Sequence, residues 1–385
     1  MGSSKYVLRS LSIWLSRCFK ALMPVAHAMW NQKFTDAGLS NPTRKCWIVD
    51  NSNIIPFIAS QLNHRVPRSQ RKHVNLRTYD FKQMYTNIRL DVLKTRLCKL
   101  IEDMFAFVST HSSKSFLFVH SNKNTKHRWR HTSKPDTRSL KCFTADKLKS
   151  WLVFLLDNLY CHFGSDTILR QRIGIPMGTN CAVFIANLFC FTYEYVFVSH
   201  LVSTQNISLL RKCMLVARLV DDIFVPNFPE FHSYRYTTDN DSHVQAGIYP
   251  PFLEITLEQS ANSNVSFLDT TTFLDNGVYY TKTFDKREHP PLSRINQTKF
   301  PHASSFLSSR SKFGIVASQL MRFSRVCTRE QDFTYRARKF LSDFLKQMHS
   351  PKTTRKYVLK FLRRVPVSFP FGNAKHLVRS LFSGL

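Results

Sequence analysis

Two adjacent aspartates lie between two short apolar runs in the segment 219–225, Leu-Val-Asp-Asp-Ile-Phe-Val. Apolar runs of this length on either side of a charged pair predict two strands joined by a tight turn. Such a turn carries carboxylates out of an apolar sheet to one point, where a hard cation or water satisfies them. Because an Asp-Asp turn alone is most often a solvated hairpin, its interpretation depends on the segments that precede it.

A third aspartate, Asp80, follows a short run that predicts a strand over 74–79. Carboxylates at the ends of neighbouring strands suit two Mg²⁺ ions roughly 3.5–4 Å apart, an arrangement used for in-line attack on a phosphoryl group. Asp80 could therefore join Asp221 and Asp222 in one metal site. The alternative is that Asp80 only caps a helix that starts near Phe81.

A glycine-rich turn, Gly-Ile-Pro-Met-Gly at 174–178, lies between the two aspartate segments and precedes an apolar segment from Cys181 to about Val196. Two glycines around a proline give a backbone that can approach a base or a sugar closely and then enter a helix. A Gly-x-Pro-x-Gly sequence on its own indicates only a turn. Its position between the aspartate segments suggests that it seats a nucleotide.

Taken together, these segments resemble the reverse transcriptases of Penelope-like retroelements and related stand-alone reverse transcriptase reading frames of animal genomes. The resemblance covers residues 41–347 approximately. The order and spacing of its motifs are more specific than any single motif. The segments that carry it are Trp-Ile-Val-Asp-Asn-Ser at 47–52 and the segments 78–88, 172–182, 217–225, 267–287 and 314–327.

The resemblance implies an α+β right-hand polymerase of fingers, palm and thumb, with an antiparallel palm sheet and a helical thumb. The implied activity is RNA-directed DNA synthesis by a retrotransposon nucleotidyltransferase that adds deoxynucleotides to a primer 3′-hydroxyl. By position, Asp80, Asp221 and Asp222 are the implied catalytic residues and metal ligands. The implied substrate-binding residues are Tyr85, Phe81, Pro176, Met177 and Gly178, and Tyr85 is placed to exclude a ribose 2′-hydroxyl.

The implied cofactor is a pair of Mg²⁺ ions, with Mn²⁺ as a substitute. The implied partners are an RNA template, a DNA primer, the RNA–DNA hybrid and deoxynucleoside triphosphates, with no membrane; the sequence indicates no protein partner. We find no GIY-YIG nuclease sequence of the kind that commonly ends Penelope elements.

The chain departs from the family pattern at Arg89, Val183 and Leu219, although no departure removes a metal ligand. Three alternatives therefore stay open. The first is a catalytically decayed descendant that still binds nucleic acid, and the second is a viral RNA-dependent RNA polymerase. The third is a basic structural protein, which would show no dependence on metal.

The formal net charge of +30 on 385 residues points to a polyanionic partner. Residues 286–385 contain 21 Lys and Arg but only 4 Asp and Glu. The nine cysteines are scattered and never spaced Cys-x-x-Cys, which argues against a zinc knuckle and a secreted disulfide framework. We therefore expect an intracellular location, with the nucleus favoured; the basic, acid-free segment 5–26 makes a mitochondrial presequence a minor alternative.

The predicted organisation is an unassigned extension over 1–40, fingers and palm over 41–285, and a basic helical thumb-like region over 286–385. Within it we expect a helix from Phe81 to about Glu102 and another over 145–163. Asp275-Asn276-Gly277 predicts a tight hairpin. The uncharged stretch 173–193 is long enough to span a bilayer, but the Gly, Pro and Asn in its first half favour a buried core helix entered by a loop.

Overall fold

The computed structural model describes residues 7–39, 46–122, 127–134, 140–163, 167–237, 247–295, 298–364 and 374–383. The helices in chain order are α1 Arg9–Asp36, α2 Ile55–Arg65, α3 Met84–Asn87, α4 Leu90–Ser112, α5 Ala145–Asp157, α6 Ala182–Ser203, α7 Ile207–Cys213, α8 Ser309–Val326, α9 Glu330–Leu345, α10 Pro351–Arg364 and α11 Ala374–Phe382. The strands are β1 Leu76–Phe81, β2 Phe116–His120, β3 Arg128–Arg130, β4 Leu140–Phe143, β5 Tyr160–Phe163, β6 Thr167–Arg170, β7 Ala217–Leu219, β8 Asp222–Pro226, β9 Ile255–Ala261, β10 Asn264–Phe267, β11 Thr270–Asp275 and β12 Val278–Thr283.

The chain packs as two units. The first unit consists of Met1–Val49 and Tyr79–Glu258, and the second of Asp50–Thr78 and Gln259–Leu385. The boundaries between these two units differ from the boundaries predicted for fingers, palm and thumb. The assignment of those three parts to segments of the chain therefore stays a prediction.

Helix α1 is part of the core of the first unit. Its apolar residues recur every three or four positions and are buried, as Phe19, Leu22, Met29 and Trp30 illustrate. The same helix packs against α4, α5 and α6. The predicted N-terminal extension thus contains a long core helix.

The sheets place neighbouring strands from distant parts of the sequence side by side. One sheet has the order β7-β8-β1-β9, and the others have the orders β10-β11-β12, β3-β2-β4 and β5-β6. The antiparallel β11–β12 pair turns at Asn276 and Gly277, whose φ angles are 49° and 73°. Two consecutive positive φ angles are those of a type I′ turn, so the predicted hairpin is confirmed.

The predicted helix over 81–102 is wrong in its first part. Phe81 ends β1, and Gln83 is left-handed (φ 52°) before the one-turn helix α3. Arg89 is then extended, with φ −72° and ψ 124°, so that α4 starts only at Leu90. The interruption leaves the backbone between α3 and α4 free to pair with another segment.

The helix predicted over 145–163 is also shorter than expected. Helix α5 ends at Asp157, and 160–163 pair with 167–170 as an antiparallel hairpin. Aromatic residues such as Tyr160 favour strands, in agreement with the hairpin that follows α5.

Helix α6 is long and apolar enough to cross a membrane by length and composition, with a mean hydropathy of 1.5. However, 72% of that apolar window is buried inside the structure. Its burial is that of a core helix, as the sequence predicted.

The helices α8, α9 and α10 form the apolar core of the second unit, as predicted for a helical C-terminal region. Phe323, Phe340, Phe344 and Val358 are buried in one cluster. The cations of α10, including Lys356 and Lys360, lie on its exposed side. Sorting apolar and basic residues to opposite faces leaves positive charge at the surface of this unit.

Gly314 gives a test of this helical packing. The residue is exposed inside α8, and a Cβ added there would have no atom within 4 Å. We expect Gly314→Ala to raise the free energy of unfolding by about 0.5–1 kcal/mol, because alanine loses less backbone entropy in a helix.

Urea unfolding of both proteins measures the change. Gly277→Ala is the matched control in the same unit, since Gly277 has a φ of +73° and its added Cβ would lie 2.9 Å from Arg68 Cγ. The control should destabilise; a loss of stability in Gly314→Ala as well would contradict the helix assignment.

Candidate active site

The Asp-Asp hairpin forms as predicted, although its turn lies one residue earlier. Leu219 pairs with Asp222 across β7 and β8, which leaves Val220 and Asp221 as the two loop residues. Asp222 is therefore the first residue of β8, not part of the loop. Val220 has a φ of 58°, a strained conformation for a β-branched residue that persists only where its surroundings enforce it.

The strand that carries Asp80 lies beside this hairpin in the sheet. β1 neighbours β8, and the Phe81 amide donates to the Asp221 carbonyl over 3.2 Å. On the other side of Asp80, its carbonyl accepts from Thr256 Oγ1 at 3.3 Å. The backbones of two distant aspartates are thereby joined within the first unit.

The glycine segment is hydrogen-bonded to the chain just after Asp80. The Gly174 amide donates to the Ile88 carbonyl over 2.7 Å, and the Ile175 amide donates to the Tyr85 carbonyl over 2.6 Å. Gly174 has a φ of +88°, and a Cβ there would lie 2.7 Å from the Tyr85 carbonyl oxygen. Only glycine fits this approach, which explains the first residue of the predicted turn.

The predicted substrate-binding residues differ in exposure. Met177 is 71% exposed, Gly178 is exposed and Pro176 is half-buried. Phe81 is buried, and its ring contacts the Tyr249 ring edge-on at 4.9 Å. The Phe81 ring therefore supports its strand from the core and is not exposed to a substrate.

Tyr85 is half-buried close to the aspartate turn. Burial, together with the negative charge of Asp221, raises the pKa of its phenol to about 12. At neutral pH the side chain is an uncharged ring with a hydroxyl group. Its carbonyl binds the glycine segment, so Tyr85 links two of the three motifs.

The half-buried carboxylates of Asp80, Asp221 and Asp222 are the hard oxygen donors that Mg²⁺ prefers. Their donor chemistry and neighbouring strands fit such an ion. However, within the described ranges no three His, Cys, Asp or Glu side chains stand together as a group that could hold a metal ion. The two-ion site therefore stays a prediction.

A buried ion pair under the hairpin was missed in the sequence. Arg218 and Glu194 are both fully buried, and Arg218 Nε donates to Glu194 Oε1 over 2.5 Å. Arg218 Nη1 also donates to Asn187 Oδ1 at 2.8 Å, and Tyr249 Oη donates to Glu194 Oε1 at 2.7 Å. Glu194 could have indicated this pair in the sequence, because a lone acidic residue within an apolar helix needs a buried partner.

This pair also holds the strained turn. Arg218 Nη1 donates to the carbonyl of Val220 over 3.0 Å, and the Arg218 amide donates to the Trp47 carbonyl over 2.6 Å. Burial acts to lower the pKa of Arg218, but the charge of Glu194 outweighs it and the pKa is raised. The guanidinium therefore stays charged and bound to the turn.

The ion pair yields a stability prediction. We expect Glu194→Gln to lower the free energy of unfolding by about 3–5 kcal/mol, because it leaves the Arg218 charge buried without its counter-ion. Chemical denaturation of the purified variant measures this change. Glu254→Gln is the control, since Glu254 pairs with Lys82 at the surface of the same unit and its loss should change stability little. Equal effects of the two variants would refute the importance of the buried pair.

Sequence comparisons find neither a matching protein-family model nor a matching curated protein. Solved structures do match. Telomerase from Candida albicans, in complex with a TWJ fragment of telomeric RNA, is 12% identical with a TM-score of 0.50 over 93% of this chain and 53% of that chain. Apo telomerase from Candida tropicalis is 14% identical with a TM-score of 0.44 over 98% of this chain and 54% of that one.

The chain thus spans about half the length of these telomerase chains. At 12% identity the likeness shows a shared fold and not a shared activity. The chain has the mixed helix and antiparallel-sheet fold of telomerase, a reverse transcriptase.

Proposed function

We propose that this protein is an RNA-directed DNA polymerase. The observation that carries the proposal is the meeting of three motifs in the first unit. The Asp80 strand is bonded to the Asp221 turn, and Gly174 and Ile175 are bonded to the backbone that follows Asp80. The fold shared with telomerase supports the same function.

The proposed reaction is nucleotidyl transfer. The 3′-hydroxyl oxygen of a DNA primer forms a bond to the α-phosphorus of a deoxynucleoside triphosphate, pyrophosphate leaves, and the hydroxyl proton is released. Asp80, Asp221 and Asp222 would hold Mg²⁺, or Mn²⁺ in its place. The bound ions would supply charge neutralisation and a lowered pKa of the hydroxyl.

The remaining residues of the site bind and orient the substrate. The segment Gly174–Gly178 would contact the templating base pair, and Met177 is exposed within it. The Tyr85 ring would contact the sugar of the incoming nucleotide and select against a 2′-hydroxyl. The right-hand division into fingers and palm over 41–285 and a thumb over 286–385 belongs to this proposal.

The finer identity is also a proposal. The motif order favours a retrotransposon enzyme of the Penelope-like type, which acts on an RNA template, a DNA primer and their hybrid. Such a retroelement enzyme would work in the nucleus. The basic second unit, with its exposed cations on α10, supports nucleic-acid binding.

A second candidate function is nucleic-acid binding without catalysis. It is favoured by the lack of a preassembled group of three carboxylates in the described part of the chain. The cations of the second unit supply affinity without any contribution from the aspartates. The two candidates differ in whether primer extension occurs.

Replacing Asp221 separates the two candidates. We expect Asp221→Asn to abolish primer extension on poly(rA)/oligo(dT) with Mg²⁺ while hybrid binding stays nearly unchanged, because affinity comes mainly from phosphate contacts. Fluorescence anisotropy measures binding; about six contacts would give a slope of log K against log salt near −5.

The aspartate at 221 would be structural if binding fell as far as activity. Wild-type protein that binds hybrid but never extends a primer would support the second candidate. A flat response to salt would contradict binding through phosphates altogether.

Tyr85 tests the choice of sugar. We expect Tyr85→Ala to admit ribonucleotides while sparing most deoxynucleotide incorporation, because the aromatic ring leaves no room for a 2′-hydroxyl. The loss of discrimination should be on the order of a few kcal/mol. Competition of dTTP with UTP on poly(rA) measures it.

Tyr85→Phe is the matched variant, since it keeps the ring and removes only the hydroxyl. It should discriminate like the wild type. An unchanged dTTP-to-UTP ratio in Tyr85→Ala would show that Tyr85 is not the gate and would favour RNA synthesis.

A further inference from the structure

Phe306 stands out from the other aromatic residues of the second unit. Its side chain is fully exposed, at 110% of the reference area, and the neighbouring Leu307 is 52% exposed. In contrast, Phe323 and Phe344 are buried in the core of that unit. A single exposed apolar residue is ordinary on a protein surface, so its meaning depends on how it is held.

The part of the loop that precedes Phe306 is fixed to α9 and to the residues that follow α9. Phe300 packs edge-on against the Phe340 ring at 5.1 Å. The Ala303 amide donates to the Gln347 carbonyl at 2.9 Å, and His349 Nε2 lies 2.8 Å from the Pro301 carbonyl oxygen.

A buried lysine fixes the residue just before Phe306. Lys312 is only 8% exposed, and its Nζ donates to the Ser305 carbonyl at 2.7 Å and to the Ala303 carbonyl. Burying an ammonium group is costly unless its donors are satisfied, and here loop carbonyls satisfy them.

On the other side, Ser308 caps α8, accepting from the Ser311 amide at 3.2 Å. Phe306 is therefore held between two anchored residues. A backbone held on both sides loses little conformational entropy when the residue between binds a ligand.

The charge around the loop selects a polyanion as the ligand. Residues 289–329 contain no Asp or Glu, and Arg310 in the first turn of α8 is exposed. In the described part of the chain, Arg310 makes no ion pair with a carboxylate. Unpaired bases offer flat faces that stack on aromatic rings, and their phosphates attract nearby cations.

We propose that Phe306 is a stacking platform for an unpaired base of a single-stranded nucleic acid, with Arg310 binding the adjacent phosphate. The inference rests on the nucleic-acid binding proposed above and names a residue and a strand state for it. It requires no metal and no catalysis.

The test is binding of the full chain to a fluorescently labelled single-stranded RNA oligonucleotide, followed by anisotropy. We expect Phe306→Ala to weaken binding by roughly 5- to 150-fold, the range for loss of one stacked base. Phe306→Trp should bind like the wild type. Tyr335→Ala is the matched control, because Tyr335 is a 66% exposed aromatic on α9 of the same unit, and it should bind like the wild type.

An abasic oligonucleotide of the same length identifies what the ring contacts. With bases removed, the wild type and Phe306→Ala should bind equally. An equal loss on both oligonucleotides, or full affinity in Phe306→Leu, would overturn stacking.

Sedimentation shows whether Phe306→Ala abolishes self-association, an outcome that would instead assign the ring to a second copy of the chain. If the wild type binds RNA and Phe306→Ala binds it equally tightly, the stacking inference fails but the proposed function does not. The proposed function fails if the wild type binds neither RNA nor hybrid.

Discussion

The candidate site depends on the buried ion pair between Arg218 and Glu194. Removing two charges from water costs more than their attraction returns unless every donor and acceptor is satisfied. Here Asn187 and Tyr249 occupy the remaining hydrogen-bonding positions at 2.8 and 2.7 Å. The guanidinium also donates to two backbone carbonyls, that of Val220 at 3.0 Å and that of Asn187 at 3.1 Å. The hydrogen bond from this buried cation and the pairing of Leu219 with Asp222 together constrain Val220, whose φ is 58°.

The same cluster reaches both aspartate strands from inside the first unit. Arg218 holds the carbonyl before Asp221, while Tyr249 packs against the ring of Phe81, the residue after Asp80. The position of one carboxylate is therefore tied to the position of the other through the core. Changes in this core should move the aspartates together, because interiors as densely packed as this one transmit displacement.

Local patterns were predicted well from sequence, and features with distant causes were not. Asn276-Gly277 specifies its own turn through two positive φ angles, so the hairpin formed as expected. The turn at 220–221 lies one residue earlier than predicted, and Arg218, which holds the Val220 carbonyl, is itself fixed by Glu194 and Asn187, 24 and 31 residues away. Likewise, the break at Arg89 frees the Ile88 carbonyl for Gly174, whose partner lies far along the sequence. The burial of Phe81 against Tyr249 has a partner equally far along the sequence, and the substrate contact of Phe81 stays a prediction.

The sheet joins the strands that carry Asp80 and Asp221, although in the described part of the chain no three metal-binding side chains stand together. Like charges brought together repel, and the repulsion grows as water is excluded. Arg218, which is buried behind the Asp221 turn, is paired with Glu194 at 2.5 Å, so that much of its charge is offset by this partner. The core therefore fixes the backbones on which Asp80 and Asp221 stand. A hard cation from solution would offset the repulsion between these carboxylates, which is why the proposed primer extension should depend on Mg²⁺ while the binding of nucleic acid should not.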